Sequence, residues 1–302
     1  MIICEKCGGN FSPTIYPLHY QRCDSIPAKI NSFPKLRIDA KHKDFSERTT
    51  GVMSYYEDFE KIIVPLFKEK FNIITEGPAD VVLNFHNGKS GYSNRKNNYS
   101  SIRILHSPKQ AQSLYQKEVQ PGVKYITHYK QYSNENFIFI PMSIDIESLP
   151  KTETKKGIIY YGNITDEKEP IFNQLKKSNV KFDVLSFSKF NDSNKVLSQS
   201  ECLEIVSGYE YGIGVGRCAL EMLTMGLKVI VAGRNYSGAI TNENILEHLS
   251  SNCNSDVLVS DAMNFENDML LAEKIHDCSL FDMRNYAKDY LSILEKSVEE
   301  RE

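Results

Sequence analysis

The chain has 302 residues, of which 41% are hydrophobic, 25% charged and 11% aromatic, with a formal net charge of −3. This composition excludes a mainly disordered, collagen-like or low-complexity protein, and no apolar run approaches the ~20 residues of a membrane span. The charge is uneven: residues 1–150 carry 19 Lys and Arg against 15 Asp and Glu, whereas residues 151–302 carry 17 against 24, which points to different partners for the two halves.

Residues 1–24 read as a small metal-binding unit. Cys4, Cys7, His19 and Cys23 follow the spacing Cys-x2-Cys, eleven residues, His-x3-Cys. Four such ligands suit tetrahedral structural Zn²⁺. A short helix starting at Pro17 would put His19 and Cys23 on one face. That helix is too short to present several base-reading residues, which leaves open whether the finger binds nucleic acid, touches a protein or caps the fold. Seven Cys, three of them in the first 23 residues, do not resemble an extracellular disulfide framework. The start, Met1 to Lys6, lacks the basic flank and apolar core of a secretory signal, so a cytoplasmic protein is expected.

Residues 25–150 read as an α/β unit. Strand-like runs recur at Lys35–Ala40, Ala79–Phe85, Ser101–Leu105, Val123–Thr127 and Phe137–Ile140. Between the first two, apolar residues from Tyr55 to Phe71 have helical spacing. Two strands end on histidine, His86 and His106, and ligands of open α/β sheets gather at such ends. A neutral imidazole there can accept the proton of an attacking hydroxyl, with Asp39 and Asp44 as other candidate bases. From Val81 to Lys117 there are six basic residues and no acid, interleaved with tyrosines. Lys89, Arg95, Lys96 and Tyr92 suit a polyanionic acceptor, the cations neutralising phosphates and the ring stacking on a base. The bland alternative is a solvated loop.

Polar residues from Pro141 to Lys156 read as a linker. In residues 151–302, strands are expected at Gly157–Tyr161, Phe182–Phe187, Tyr209–Val215 and Leu227–Ala232. Helices are expected at Glu169–Ser178 and Arg217–Met225, and the tail Asn264–Glu299 is helix-rich. Strands alternating with helices twice over imply two Rossmann-like, doubly wound parallel sheets.

The run Gly212-Ile-Gly214-Val-Gly216-Arg217-Cys-Ala-Leu-Glu221-Met-Leu-Thr-Met-Gly226, then Gly233 and Gly238, resembles the donor-site signature of GT-B nucleotide-sugar glycosyltransferases. Gly162-Asn163-Ile-Thr-Asp-Glu-Lys168 is similar to that family's first donor loop, which usually reads Gly-Arg-Leu, two residues, Glu-Lys. The resemblance implies two domains facing across a cleft and transfer of a hexose or pentose from a nucleotide-sugar to an acceptor hydroxyl. It implies that Lys168 meets the donor diphosphate and Glu221 the ribose. Gly162, Asn163, Gly214, Gly216, Arg217 and Gly238 would line the phosphates or sugar, with no catalytic metal needed to stabilise the leaving group. Two positions depart from the pattern: the first-loop Arg is Asn163, and the second Glu of retaining members is Ile213. With the finger and the basic run beside it, the expected acceptor is a hydroxylated base in DNA, flipped out of the stack to reach a cleft. Cell-surface polymers are the main competing acceptor, with protein or small-molecule acceptors behind them. A non-catalytic nucleic-acid-binding or interaction protein that keeps the fold is the other class.

Overall fold

The computed structural model describes residues 33–39, 51–75, 78–85, 100–117, 122–153, 155–186, 197–260 and 263–300, together with an antiparallel pair, Ile2–Ile3 (β1) and Asn10–Phe11 (β2). The expected zinc ligands Cys4, Cys7, His19 and Cys23 lie outside the described residues, as do His86, Asp44, Lys89, Tyr92, Arg95 and Lys96.

The first series comprises β3 (Lys35–Asp39), α1 (Gly51–Ile62), α2 (Val64–Phe67), β4 (Asn72–Ile74), β5 (Val81–Asn84), β6 (Ser100–Leu105), α3 (Pro108–Tyr115), β7 (Val123–Thr127) and β8 (Phe137–Phe139). These strands form one parallel sheet in the order β4-β3-β5-β6-β7-β8. Continuous apolar runs such as Val81-Val82-Leu83 are buried, as strands covered on both faces require. The helical spacing from Tyr55 to Phe71 becomes two helices meeting at Ile63, because Pro65 has no N–H to continue the ladder and opens α2 instead.

The second series comprises β9 (Ile158–Tyr161), α4 (Glu169–Lys177), β10 (Asp183–Leu185), α5 (Gln199–Ser207), β11 (Tyr211–Gly214), α6 (Arg217–Thr224), β12 (Lys228–Ala232), β13 (Tyr236–Ala239), α7 (Ile245–Ser250), α8 (Phe265–Leu271) and α9 (Ala287–Glu299). Its sheet runs β10-β9-β11-β12-β13, parallel except for the β12–β13 pair. Sequence periodicity passed over α5, whose start carries a capping box between Ser198 and Glu201. It also passed over the antiparallel β13.

Two findings change the expected layout. The stretch 141–156 is not a free linker: Met142, Ser143, Ile144, Asp145 and Leu149 are buried. The Asp145 carboxylate has no exposed surface and is held by Lys61 and by Arg284 at 2.8 Å. Burial pushes its pKa up, but the two cations outweigh that and hold it below the usual carboxylate range. The C-terminal helix α9, although it follows the second series, packs against the first sheet. Ser100 Oγ donates to Ser297 O at 2.7 Å, Lys124 pairs with Glu300 at 2.6 Å, and the Tyr290 and Phe59 rings meet at 5.0 Å. One buried cluster therefore runs from Leu36 and Phe59 through Tyr290 to Leu220 and Met222.

Two glycines of the Gly-rich turn serve this packing. A Cβ on Gly212 would lie 2.3 Å from Met222 Sδ, and one on Gly214 would lie 2.8 Å from the Tyr161 carbonyl oxygen. The backbone contact at Gly214 cannot yield as a flexible side chain could. Gly214→Ala is expected to lower stability by about 1–3 kcal/mol, the usual cost of overpacking. Urea unfolding measures it, and an unchanged midpoint would rule out the packing role.

Candidate functional site

In a doubly wound sheet, ligands bind where neighbouring crossovers leave in opposite directions, at the C-terminal strand ends. In the second sheet the chain passes from β9 outward to β10, then returns to the other side of β9 as β11. The switch point therefore lies between the loops that follow β9 and β11. Those are the loops holding Gly162 to Lys168 and Val215 to Arg217.

Gly216 has φ 59°, a left-handed conformation that suits glycine, and caps α6. Its N–H donates to Cys253 O at 2.9 Å, while the Gly216 carbonyl accepts from Leu220 N. Arg217 folds back along α6: Nε meets Glu221 Oε1 at 2.8 Å, and Nη2 reaches Asp58 Oδ2 of α1, also at 2.8 Å. Nη1 is buried without a hydrogen-bond partner among the described residues. Glu221 is 1% exposed and also accepts from Gln199 Nε2 at 3.0 Å and from the Tyr161 hydroxyl. Burial raises its pKa, opposed by Arg217 and Tyr161.

Lys168 is half-buried at the start of α4, and its Nζ donates to Asn163 O at 2.9 Å. Burial lowers its pKa, Cys218 and Asp256 oppose that, and Arg234 adds to it. Arg234, just beyond β12, pairs with Asp256 at 2.9 Å and with Glu167. Glu167 also takes Lys109 of α3 at 3.2 Å, so first-series and second-series residues meet beside Lys168.

The structure thus gathers Gly162, Asn163, Lys168, Gly214, Gly216, Arg217 and Glu221 around one switch point. Gly238 lies two strands away in β13, in register with Val231 of β12, which also pairs with Gly214, and it faces Asp268. Ile213 is fully buried in the sheet core, and as isoleucine it offers no carboxylate. Glu210 lies at the opposite end of β11 and pairs with Lys228 at 3.3 Å.

On the first sheet, Asp39 ends β3 and is paired with Arg37 at 3.1 Å. His106 follows β6 and contacts the rings of Tyr55, Phe85 and His128 at 5.3, 6.3 and 5.5 Å. His128, which follows β7, has no exposed surface. Its Nδ1 meets Ile140 O at 2.8 Å, and burial lowers its pKa to about 4. Sequence reasoning named His86 and His106 but missed His128, although it too follows a strand. Arg234, which follows β12, was missed as well. Asp58 and Gln199 carry no local signal, because each becomes relevant only through a partner more than twenty residues away.

No protein-family model matches the chain, and no curated protein does. Among solved structures, the chain is similar to AviGT4, a glycosyltransferase involved in avilamycin A biosynthesis, with a TM-score of 0.56 and 9% identity over 88% of this chain and 98% of that one. An α1,3-fucosyltransferase matches with a TM-score of 0.48 and 9% identity, over 88% of this chain and 90% of its own. The likeness to AviGT4 shows a shared α/β fold with parallel sheets.

The Arg217 network makes a stability prediction. Replacing Arg217 with Met leaves Glu221 buried without its cation, held only by the hydrogen bonds from Gln199 and Tyr161, which should cost about 3–5 kcal/mol near neutral pH. Without Arg217 the Glu221 pKa rises further, so the native state takes up a proton more readily than the unfolded chain. The penalty is therefore full above that raised pKa and shrinks as pH falls through it. Denaturant unfolding of both chains between pH 8 and 5 checks this, and a difference independent of pH would contradict the assignment.

Proposed function

We propose that the chain is a glycosyltransferase that moves a sugar from a nucleotide-sugar to an acceptor hydroxyl. The observation carrying this reading is the convergence of Lys168, Arg217 and Glu221 on the switch point of the second sheet. The fold shared with a glycosyltransferase supports it. In the transfer, the acceptor oxygen forms a bond to the anomeric carbon as the bond to the diphosphate oxygen breaks. The departing nucleoside diphosphate gains negative charge, which Lys168 and the N-terminal end of α6 would offset. The acceptor proton passes to a base on the first sheet, for which the sequence offers His86, His106, Asp39 and Asp44.

Glu221 would take the ribose hydroxyls. Gln199 or Arg217 must then turn aside, because Glu221 is 1% exposed with both in place. The acceptor proposal, a hydroxylated base in DNA, rests on the basic run with Lys89, Arg95, Lys96 and Tyr92. The zinc proposal rests on the spacing of Cys4, Cys7, His19 and Cys23.

Lys168→Ala is expected to weaken nucleotide-sugar binding by roughly 1–3 kcal/mol, the range for a lost charge-assisted hydrogen bond. Calorimetry with UDP- and GDP-sugars reads this. Undiminished affinity would remove Lys168 from the site, and absence of both binding and donor turnover would favour the non-catalytic alternative.

Replacing Lys89, Arg95 and Lys96 together with Ala should flatten the salt dependence of DNA binding by roughly 2–3 units of log–log slope. Donor hydrolysis in the absence of acceptor should be little changed. Normal DNA binding at low and high salt would return the run to a solvated loop. Metal analysis of the purified chain should find one zinc, and none would refute the finger.

A further inference from the structure

The ion pairs beside Lys168 have an arrangement that the transfer reaction does not itself require. Glu167 lies immediately before Lys168, is 56% exposed, and receives two cations from different parts of the chain. Lys109 comes from the first turn of α3, and Arg234 follows β12. The guanidinium of Arg234 is only partly used: Nη1 holds Asp256 and Nη2 holds Glu167, while Nε is buried with no hydrogen-bond partner among the described residues. Burial, and to a lesser degree the charge of Arg234, lowers the Lys168 pKa, so the two cations are within electrostatic reach of each other. Such a pair favours an anion between or across them.

We propose that Glu167 is an internal stand-in for the donor's diphosphate. When a diphosphate enters beside Lys168, it displaces the Glu167 carboxylate and takes Arg234 and Lys109 as its own partners. Arg234 thereby supplies, from the loop after β12, the cation that Asn163 lacks in the loop after β9. The exchange is physically reasonable. Exposed pairs contribute little and are readily given up, whereas a diphosphate carries more charge and can accept both guanidinium hydrogen bonds at once. Lys109 belongs to the first series, so the same exchange makes anion binding draw on both sheets. The inference rests on the donor reading above.

The experiment is calorimetric titration of inorganic pyrophosphate, UDP and GDP into the full chain and four variants, each first shown to be folded by circular dichroism and thermal melting. Glu167→Gln keeps the side chain's size and removes the competing charge. It should tighten binding by about two- to tenfold, the range expected for freeing two exposed pairs. Arg234→Ala should weaken binding by about tenfold or more, as for a charge-assisted bond to phosphate, and Lys109→Ala should weaken it to a lesser degree. In the combination of Glu167→Gln with Arg234→Ala, the gain should largely disappear. If Glu167→Gln binds pyrophosphate and the nucleotides no better than the parent chain, Glu167 is a fixed clip and the proposal falls while the donor reading stands. If the parent chain binds none of the three, the donor reading fails and this proposal goes with it.

Discussion

The guanidinium of Arg217 is the interaction on which the arrangement depends. It is nearly buried, and it joins Glu221 of its own helix to Asp58 of α1. Removing such a cation from water is costly unless both carboxylates are in place, so the contact enforces its own geometry. Asp58 in turn accepts the backbone N–H of Asp145 at 3.0 Å, and the Asp145 carboxylate is held by Lys61 and Arg284. Ser54, Asp58 and Lys61 are spaced along one stripe of α1. Through Gln199, Arg217 and Asp145, that stripe connects α1 to α5, to α6 and to the crossing segment.

The same economy governs the candidate donor site. Each cation there already has a partner of its own chain. Arg217 has Glu221 and Asp58, Arg234 has Asp256 and Glu167, and Lys168 has the carbonyl of Asn163. These partners differ in how readily they can be exchanged. The Arg217 set is buried, so breaking it strands charge in a low dielectric. The Glu167 set is exposed, and water can take over its groups. On the proposed donor reading, an incoming anion would exchange with the Glu167 set more readily than with the Arg217 set. Tyr55 of α1 packs its ring against Phe85, His106 and His128, which follow β5, β6 and β7 of the first sheet.

Much of this was legible in the residues alone. Alternating apolar runs and helical spacings placed most of the strands of both sheets. Glycine spacing identified the loop before α6, because a strand can turn tightly into a helix only where no side chain intervenes. Gly212 and Gly214 turned out to meet Met222 and the Tyr161 carbonyl, so the motif records strand–helix packing as well as any ligand. Gly238 lies in β13, a strand that the sequence pattern did not mark, level with Gly214 across Val231. The 141–156 stretch looked like a linker because its polar residues have no partner nearby in sequence, whereas Asp145 finds Arg284 across 139 residues.

What the sequence determined by itself is the set of local constraints: most of the strands and helices, where glycine permits a turn, and that His86 and His106 follow strand-like runs. These follow from periodicity and backbone sterics, which act within a few residues. Only the tertiary structure decided how the charges are shared. Arg217 is tied to Asp58, Glu167 takes two cations from opposite series, α9 returns to the first sheet, and His128 is buried beside His106. Each of these depends on contacts between residues far apart in the chain, and the strength of each is set by burial. Burial is a property of the assembled core and not of any local pattern.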